Sequence, residues 1–162
     1  MKAMKEILKM LEDDARLTPE QIAVMTEKDT GDIRRAIEEY EQNGTIVAYK
    51  ALIDWDQTDR EYVSAVIELK VAPQRDRGFD VVAEKIYNYP EVKSLYLMSG
   101  GFDLLVIIEG RTMREVAQFV AAKLAPIEAV LSTATHFVLR KYKNNGVIYE
   151  APEVDERGND FI

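Results

Sequence analysis

Cysteine is absent from the 162 residues, and histidine and tryptophan occur once each. Without a thiol there is no disulfide framework and no thiolate metal site, and a lone His136 has no His or Cys partner with which to hold a metal. That histidine reads as a packed or interface residue on a strand. No apolar run approaches the length of a membrane span, and no N-terminal apolar segment with a cleavage site is visible. The absences together lead to the expectation of a cytoplasmic chain with no cofactor and no metal. Positive charge is also short: 21 Lys and Arg stand against 29 Asp and Glu, a formal net charge of −8. A polyanion partner ordinarily calls for an excess of cations on the binding face. The deficit is uneven, however. Residues 1–50 carry 8 basic and 11 acidic groups, residues 51–143 carry 12 and 13, and residues 144–162 carry 1 and 5, so half of the excess lies in the tail.

What is present is a clear change of periodicity. In "MKEILKMLEDDA" the apolar residues Met4, Ile7, Leu8 and Leu11 share one helical face. A second helix opens at "TPEQIAVM", where Thr18 caps, Pro19 suits the first helical position, and Gln21 completes a capping box. A third begins near "DTGDIRRAIEEYEQNG", with Asp29 or Thr30 as N-cap, a stripe of Ile33, Ala36, Ile37 and Tyr40, and Asn43-Gly44 as its stop. Three short helices, the last two joined tightly, predict a helix-turn-helix unit over residues 1–50. From Thr45 the pattern turns β-type in "TIVAYKALIDW", and a β linker over 51–61 ends in the polar "DQTDRE". Trp55 there reads as a packing residue.

The second half repeats itself. Strand "YVSAVIELKVA", helix "FDVVAEKIYNY" and strand "VKSLYLM" are followed by strand "DLLVIIE", helix "MREVAQFVAAKL" and strand "VLSTATHFVLRKY". Two βαβ units in tandem over 62–143 predict an α+β, ferredoxin-like βαββαβ fold, a four-stranded antiparallel sheet with both helices on one face. One bare sheet face then calls for a second copy, and a homodimer through the sheets is expected. The remainder, 144–162, is an acidic tail in which Val147, Ile148 and Tyr149 have the makings of an edge strand.

The joint between the two halves is "MSGGFD". As a turn, Gly100-Gly101 suits a two-residue hairpin, since glycine tolerates positive φ. As a site, the bare backbone exposes N–H groups to a carboxylate while Asp103 meets an ammonium, the two charges of a free amino acid. Both readings stand on the residues alone. On the third helix, Arg34 and Arg35 have the reach for phosphates or guanine edges. Their other option is to pair with Glu38 and Glu39 one turn on.

The ordered set of a helix-turn-helix, a β linker and βαββαβ resembles the Lrp/AsnC (leucine-responsive/asparagine-responsive) family of transcription regulators. "EILKMLEDDARLTPEQIA" and "YPEVKSLYLMSGGFDLLVIIEG" carry the resemblance, which covers roughly residues 4–143. It implies a winged-helix-like DNA-binding head, with Thr30, Gly31, Arg34 and Arg35 toward double-stranded DNA. It implies an amino-acid-sensing, oligomerising second domain, with the effector at Ser99, Gly100, Gly101, Phe102 and Asp103 and at Ser132, Thr133 and Thr135 of the last strand. It also implies dimers assembling to tetramers or octamers, and no catalysis. A tetrapyrrole-decarboxylating branch of the superfamily bears a histidine on the strand before the glycine loop, and "SLYLM" has none. The chain departs from the family at Glu27, where glycine is usual, at Lys28, where an apolar residue is, and at Glu38 and Glu39, where bases are. Those acids leave open a second reading, an amino-acid-sensing or oligomer-assembly protein with little DNA affinity.

Overall fold

The computed structural model describes residues 2–73 and 78–149, with side chains described from residue 5 onward. The expectations for Met4 on the first helical face and for the acidic stretch 150–162 lie outside those side chains and residues. The chain divides into two units, Met1–Ile53 and Asp54–Ile162.

The first unit holds α1 (Lys2–Asp13), α2 (Pro19–Thr26) and α3 (Thr30–Gln42). The start of α2 follows from its sequence. Thr18 Oγ1 accepts from Gln21 N–H at 3.2 Å, and Gln21 Oε1 accepts from Thr18 N–H at 2.8 Å, a complete capping box. Ile7, Leu11, Ile22, Ala23 and Ile33 form the core of the unit, with Leu17, Ile37 and Ile46 packed against it. Burying each large aliphatic side chain there contributes roughly 1.5–3 kcal/mol. Residues 45–54 carry no strand, contrary to their β-type pattern. Val47, Tyr49, Leu52 and Ile53 stand exposed. A strand needs a partner ladder, and among the described residues the chain offers this segment none. A single 3₁₀ turn, Trp55–Gln57, capped by Asp54, follows it. The Arg60 guanidinium lies 4.3 Å from the Trp55 ring centre.

The second unit is built on β1 (Val63–Val71), α4 (Asp80–Tyr87), β2 (Val92–Leu97), β3 (Leu104–Gly110), α5 (Met113–Phe119) and β4 (Val130–Phe137). The strands form one antiparallel sheet in the order β2-β3-β1-β4, the ferredoxin-like arrangement. Alternation decides the faces. Ala65, Ile67 and Leu69 of β1 and Leu104, Val106 and Ile108 of β3 are buried, and they pack with Val82 and Ile86 of α4 and Val116 of α5. On the opposite face stand Val66, Glu68, Leu105, Ile107 and Tyr96, which no element of this unit covers, and Tyr96 is half exposed.

Three details depart from the periodicity. The second helix does not run as one α-helix to Leu124. Its last turn, Val120–Leu124, is a π turn in which Ala125 N–H bonds to Val120 O at 2.8 Å, and Met113 at its start is exposed. Beyond β4, Leu139 is almost fully exposed. The chain then makes a separate hairpin of β5 (Lys143–Asn144) and β6 (Val147–Ile148). Asn145 and Gly146 both take positive φ, 45° and 82°, as a tight two-residue hairpin requires.

Candidate functional site

The N-terminus of α3 is fixed by Asp29. Its backbone is extended and its Oδ1 accepts from Gly31 N–H at 2.8 Å and Asp32 N–H at 3.2 Å. A Cβ on Gly31 would stand 2.9 Å from that same Oδ1. Glycine at 31 therefore lets the cap carboxylate close over the helix end. The turn before it is made by Glu27, a left-handed residue at φ 54° and ψ 39°, whose side chain is exposed. Lys28 N–H bonds back to Ala23 O at 3.0 Å and closes α2. Thr30 is half-buried, whereas Gly31, Arg34 and Arg35 are exposed.

The partners of the two arginines differ from the pairs expected one turn on. Arg34 Nη2 donates to Glu20 Oε1 at 2.6 Å, which ties α3 to the first turn of α2. Arg35 pairs with Asp32 and its Nε reaches Gly31 O at 3.4 Å. Neither Glu38 nor Glu39 takes these guanidinium groups. The rotamers explain the difference: an arginine on a first helical turn leans toward the helix N-terminus, where Asp32 and α2 lie. Glu20 is held below the ordinary carboxylate range by the helix-end backbone N–H and the Thr18 hydroxyl, with Arg34 adding to it. In unit one, then, both candidate DNA-reading cations already face carboxylates.

The glycine loop is wider than a two-residue turn. Leu97 pairs with Leu104, and Met98 N–H bonds to Asp103 O at 2.8 Å, so Ser99, Gly100, Gly101 and Phe102 together make the turn. Gly100 takes φ 137°, a conformation L side chains rarely adopt. Ser99, Gly100 and Gly101 are exposed, and Phe102 and Asp103 are half-buried.

Asp103 has a structural task that sequence reasoning missed. Its N–H bonds to Leu69 O at 2.9 Å, and its Oδ2 accepts from Val71 N–H at 2.8 Å. Val71 lies just past a register shift between β1 and β4 at Lys70/Val71. The carboxylate thus supplies an acceptor where the ladder is disturbed. No sequence signal links positions 71 and 103, because the contact exists only once the strands have paired. An ionised carboxylate accepts several donors, so this bond leaves capacity for another.

On β4 the three predicted residues divide between faces. Thr133 and Thr135 pair with Leu69 and Ile67 and share the helix-covered face, half-buried. Ser132 pairs with Lys70 on the opposite face and is exposed, as is His136, whose Nε2 lies 3.4 Å from Glu68 Oε1. Asp103 and Thr133 both flank Leu69, so the loop and the start of β4 meet at one end of the sheet with β1 between them. Two strand spacings, about 10 Å, separate β3 from β4. Within one chain these groups share an end of the sheet but do not converge on a point.

Residues 64–148 match the family model described as the Lrp/AsnC ligand binding domain. The uncharacterized HTH-type transcriptional regulator YugG of Bacillus subtilis is 44% identical over 153 residues, which span 94% of this chain and 92% of that protein. Among solved structures, the chain is similar to the transcriptional regulator NMB0573 of Neisseria meningitidis, solved in complex with L-Met. It has a TM-score of 0.73 and 23% identity, and the match covers 89% of this chain and 92% of that one. It is similar also to E. coli AsnC, with a TM-score of 0.69 and 19% identity over 87% and 93% of the two chains. With a domain match over half its length and a relative of this identity across nearly all of it, the chain belongs to the Lrp/AsnC family of transcriptional regulators.

Proposed function

We propose that this regulator reads duplex DNA with the exposed face at the start of α3, through Thr30, Gly31, Arg34 and Arg35, and that an amino acid at the glycine-loop end of the sheet modulates it. The observation that carries the first half is the placement of Arg34 and Arg35, both exposed, on the first turns of a helix whose N-terminus is capped and anchored to α2. Recognition helices enter the major groove by that end. Each guanidinium must exchange a carboxylate for a phosphate or a base edge, so the net electrostatic gain on binding is small. Two cations per head and two heads per dimer give a slope of log affinity against log salt of about −3 to −4.

The effector half is supported by the exposed Ser99–Gly101 backbone, by Asp103, and by Ser132, Thr133 and Thr135 at the same end of the sheet. The L-Met complex of the Neisseria relative makes an amino acid the natural ligand class. Because the groups lie on both sides of β1, a complete pocket draws on a neighbouring subunit. The uncovered face with Val66, Leu105, Ile107 and Tyr96 supports a homodimer, and assembly to a tetramer or octamer would bring loops of different dimers together. Among the described residues no helix is long and apolar enough to cross a membrane, and a cytoplasmic, non-enzymatic regulator is the reading taken.

A mobility shift on the region upstream of the protein's own gene, with and without each of the twenty amino acids, tests both halves. A shift that one amino acid alters in wild type but not in Asp103→Asn supports the account. No shift at micromolar protein and low salt favours a sensing or assembly protein with little DNA affinity. The acidic partners of Arg34 and Arg35 give that alternative its own support.

A further inference from the structure

At the end of the sheet away from the glycine loop, β3 and α5 close on each other. A Cβ on Gly110 would lie 3.2 Å from Val116 Cγ2 and 3.6 Å from Glu115 Cβ. Two cavities of about 310 Å³ each meet there and share Glu91, Glu109, Gly110 and Glu115. Six residues of β3 separate this place from Leu104, roughly 20 Å along the strand, so it is distinct from the loop site.

Its carboxylates are unequal. Glu115 is matched by Arg111, whose Nη2 and Nε donate at 2.8 and 3.0 Å and whose backbone N–H donates at 2.8 Å. Glu109 has Arg60 at 3.7 Å. Glu91 differs: its Oε2 is shut off from water and has no hydrogen-bond partner. Buried polar atoms are nearly always paired, and a buried carboxylate oxygen without a donor is costly. The other walls of the first cavity are apolar, with Ile108, Val116, Phe119 and Ala122, and Lys123 also lines it. Terminal carboxylate torsions are broad, so a modest rotation offers the buried oxygen to a donor in the cavity.

We propose that this cleft is a second ligand site, for a small primary ammonium compound with a short apolar body. The ammonium supplies the donor that Glu91 lacks, and the hydrocarbon lies over Val116 and Phe119. The volume suits a molecule of amino-acid size. Two sources share that chemistry. A free amino acid would set its carboxylate toward Lys123, and the amine left by its decarboxylation would not need that contact. The proposal is independent of the glycine loop, whose backbone N–H groups demand a carboxylate.

The amine arm therefore isolates the site. Isopentylamine and L-leucine are titrated calorimetrically into full-length wild type, Glu91→Gln, Ala122→Phe and Asp103→Asn. Gln keeps the shape of Glu91 without its charge, and Phe at exposed position 122 fills the cavity from the rim. Isopentylamine is expected to bind wild type and Asp103→Asn alike, and at least tenfold more weakly to the other two. L-leucine binding that falls in Glu91→Gln identifies the free amino acid as the source, and tighter amine than leucine binding identifies the decarboxylated one. Undiminished amine binding by Glu91→Gln, or no amine binding to wild type, overturns the proposal. Loss of leucine binding in Asp103→Asn alone would assign leucine to the loop, with the amine titration still deciding this site.

Discussion

Replacing Asp103 with alanine removes the acceptor at 2.8 Å from Val71 N–H, and Val71 is only 3% exposed. The bond is charge-assisted, a class that contributes about 1.5–3 kcal/mol, and its loss leaves a buried donor without a partner. Water can recover part of this because Asp103 itself is half-buried. About 2 kcal/mol of destabilisation is therefore expected for Asp103→Ala. Asparagine keeps an oxygen for Val71 and loses only the charge, so Asp103→Asn should cost about 1 kcal/mol or less. In a chain of this size 1 kcal/mol moves the melting midpoint by roughly 2–4 °C. Thermal and urea melts followed by circular dichroism should place alanine about 4–8 °C below wild type, with asparagine close to wild type. Equal losses in the two variants, or an alanine variant as stable as wild type, would refute the brace between the hairpin and β1. Asparagine also separates the two tasks of this residue, since it preserves the brace while removing the charge offered to an ammonium.

Other outcomes follow from the same geometry. Glu27 is left-handed and its side chain is exposed, so Glu27→Gly should stabilise the head by about 0.5–1 kcal/mol in urea melts; a destabilised variant would mean that its side chain has a use not described above. Gly31→Ala puts a methyl against the Asp29 cap and should cost about 1–2 kcal/mol, much as deletion of a cap does, whereas Gly31→Ala in an Asp29→Ala background should cost almost nothing further. The Glu115 carboxyl is held below its ordinary range, first by the Arg111 side chain and then by its backbone N–H. Its folded pKa is depressed, so its stabilisation is present above the unfolded carboxylate pKa and fades as pH falls through the folded value. The melting gap between wild type and Glu115→Gln should accordingly be constant from neutral pH to about pH 5 and narrow below it, and a gap that widens on acidification would contradict the assignment.

Local signals carried most of the fold. The Thr18 capping box, the Asp29 cap and the alternation in "LLVIIE" each act within a few residues, and each is realised in the structure. Alternation also holds the key to β4, where the parity of Ser132 against Thr133 and Thr135 already puts them on opposite faces. What was not legible depended on partners distant in sequence. The segment 45–55 has the composition of a strand but no ladder to join. The contacts of Asp103 with Val71 and of Arg34 with Glu20 span 32 and 14 residues, beyond the reach of any local periodicity. The π turn at Val120–Leu124 keeps the apolar stripe of an α-helix, so periodicity cannot reveal it. One available signal went unused: Asn145-Gly146 is a strong hairpin pair, and it places β5 and β6.

The central claim is that an acidic head still reads DNA through two arginines that give up carboxylate partners. The direct measurement is fluorescence anisotropy on a fragment from upstream of the protein's own gene, repeated from 50 to about 200 mM salt, for wild type and for Arg34→Ala/Arg35→Ala. The account predicts a wild-type salt slope of about −3 to −4, and a double variant with at least tenfold weaker binding and a slope near zero. Equal affinity and equal slope in the two proteins would contradict it.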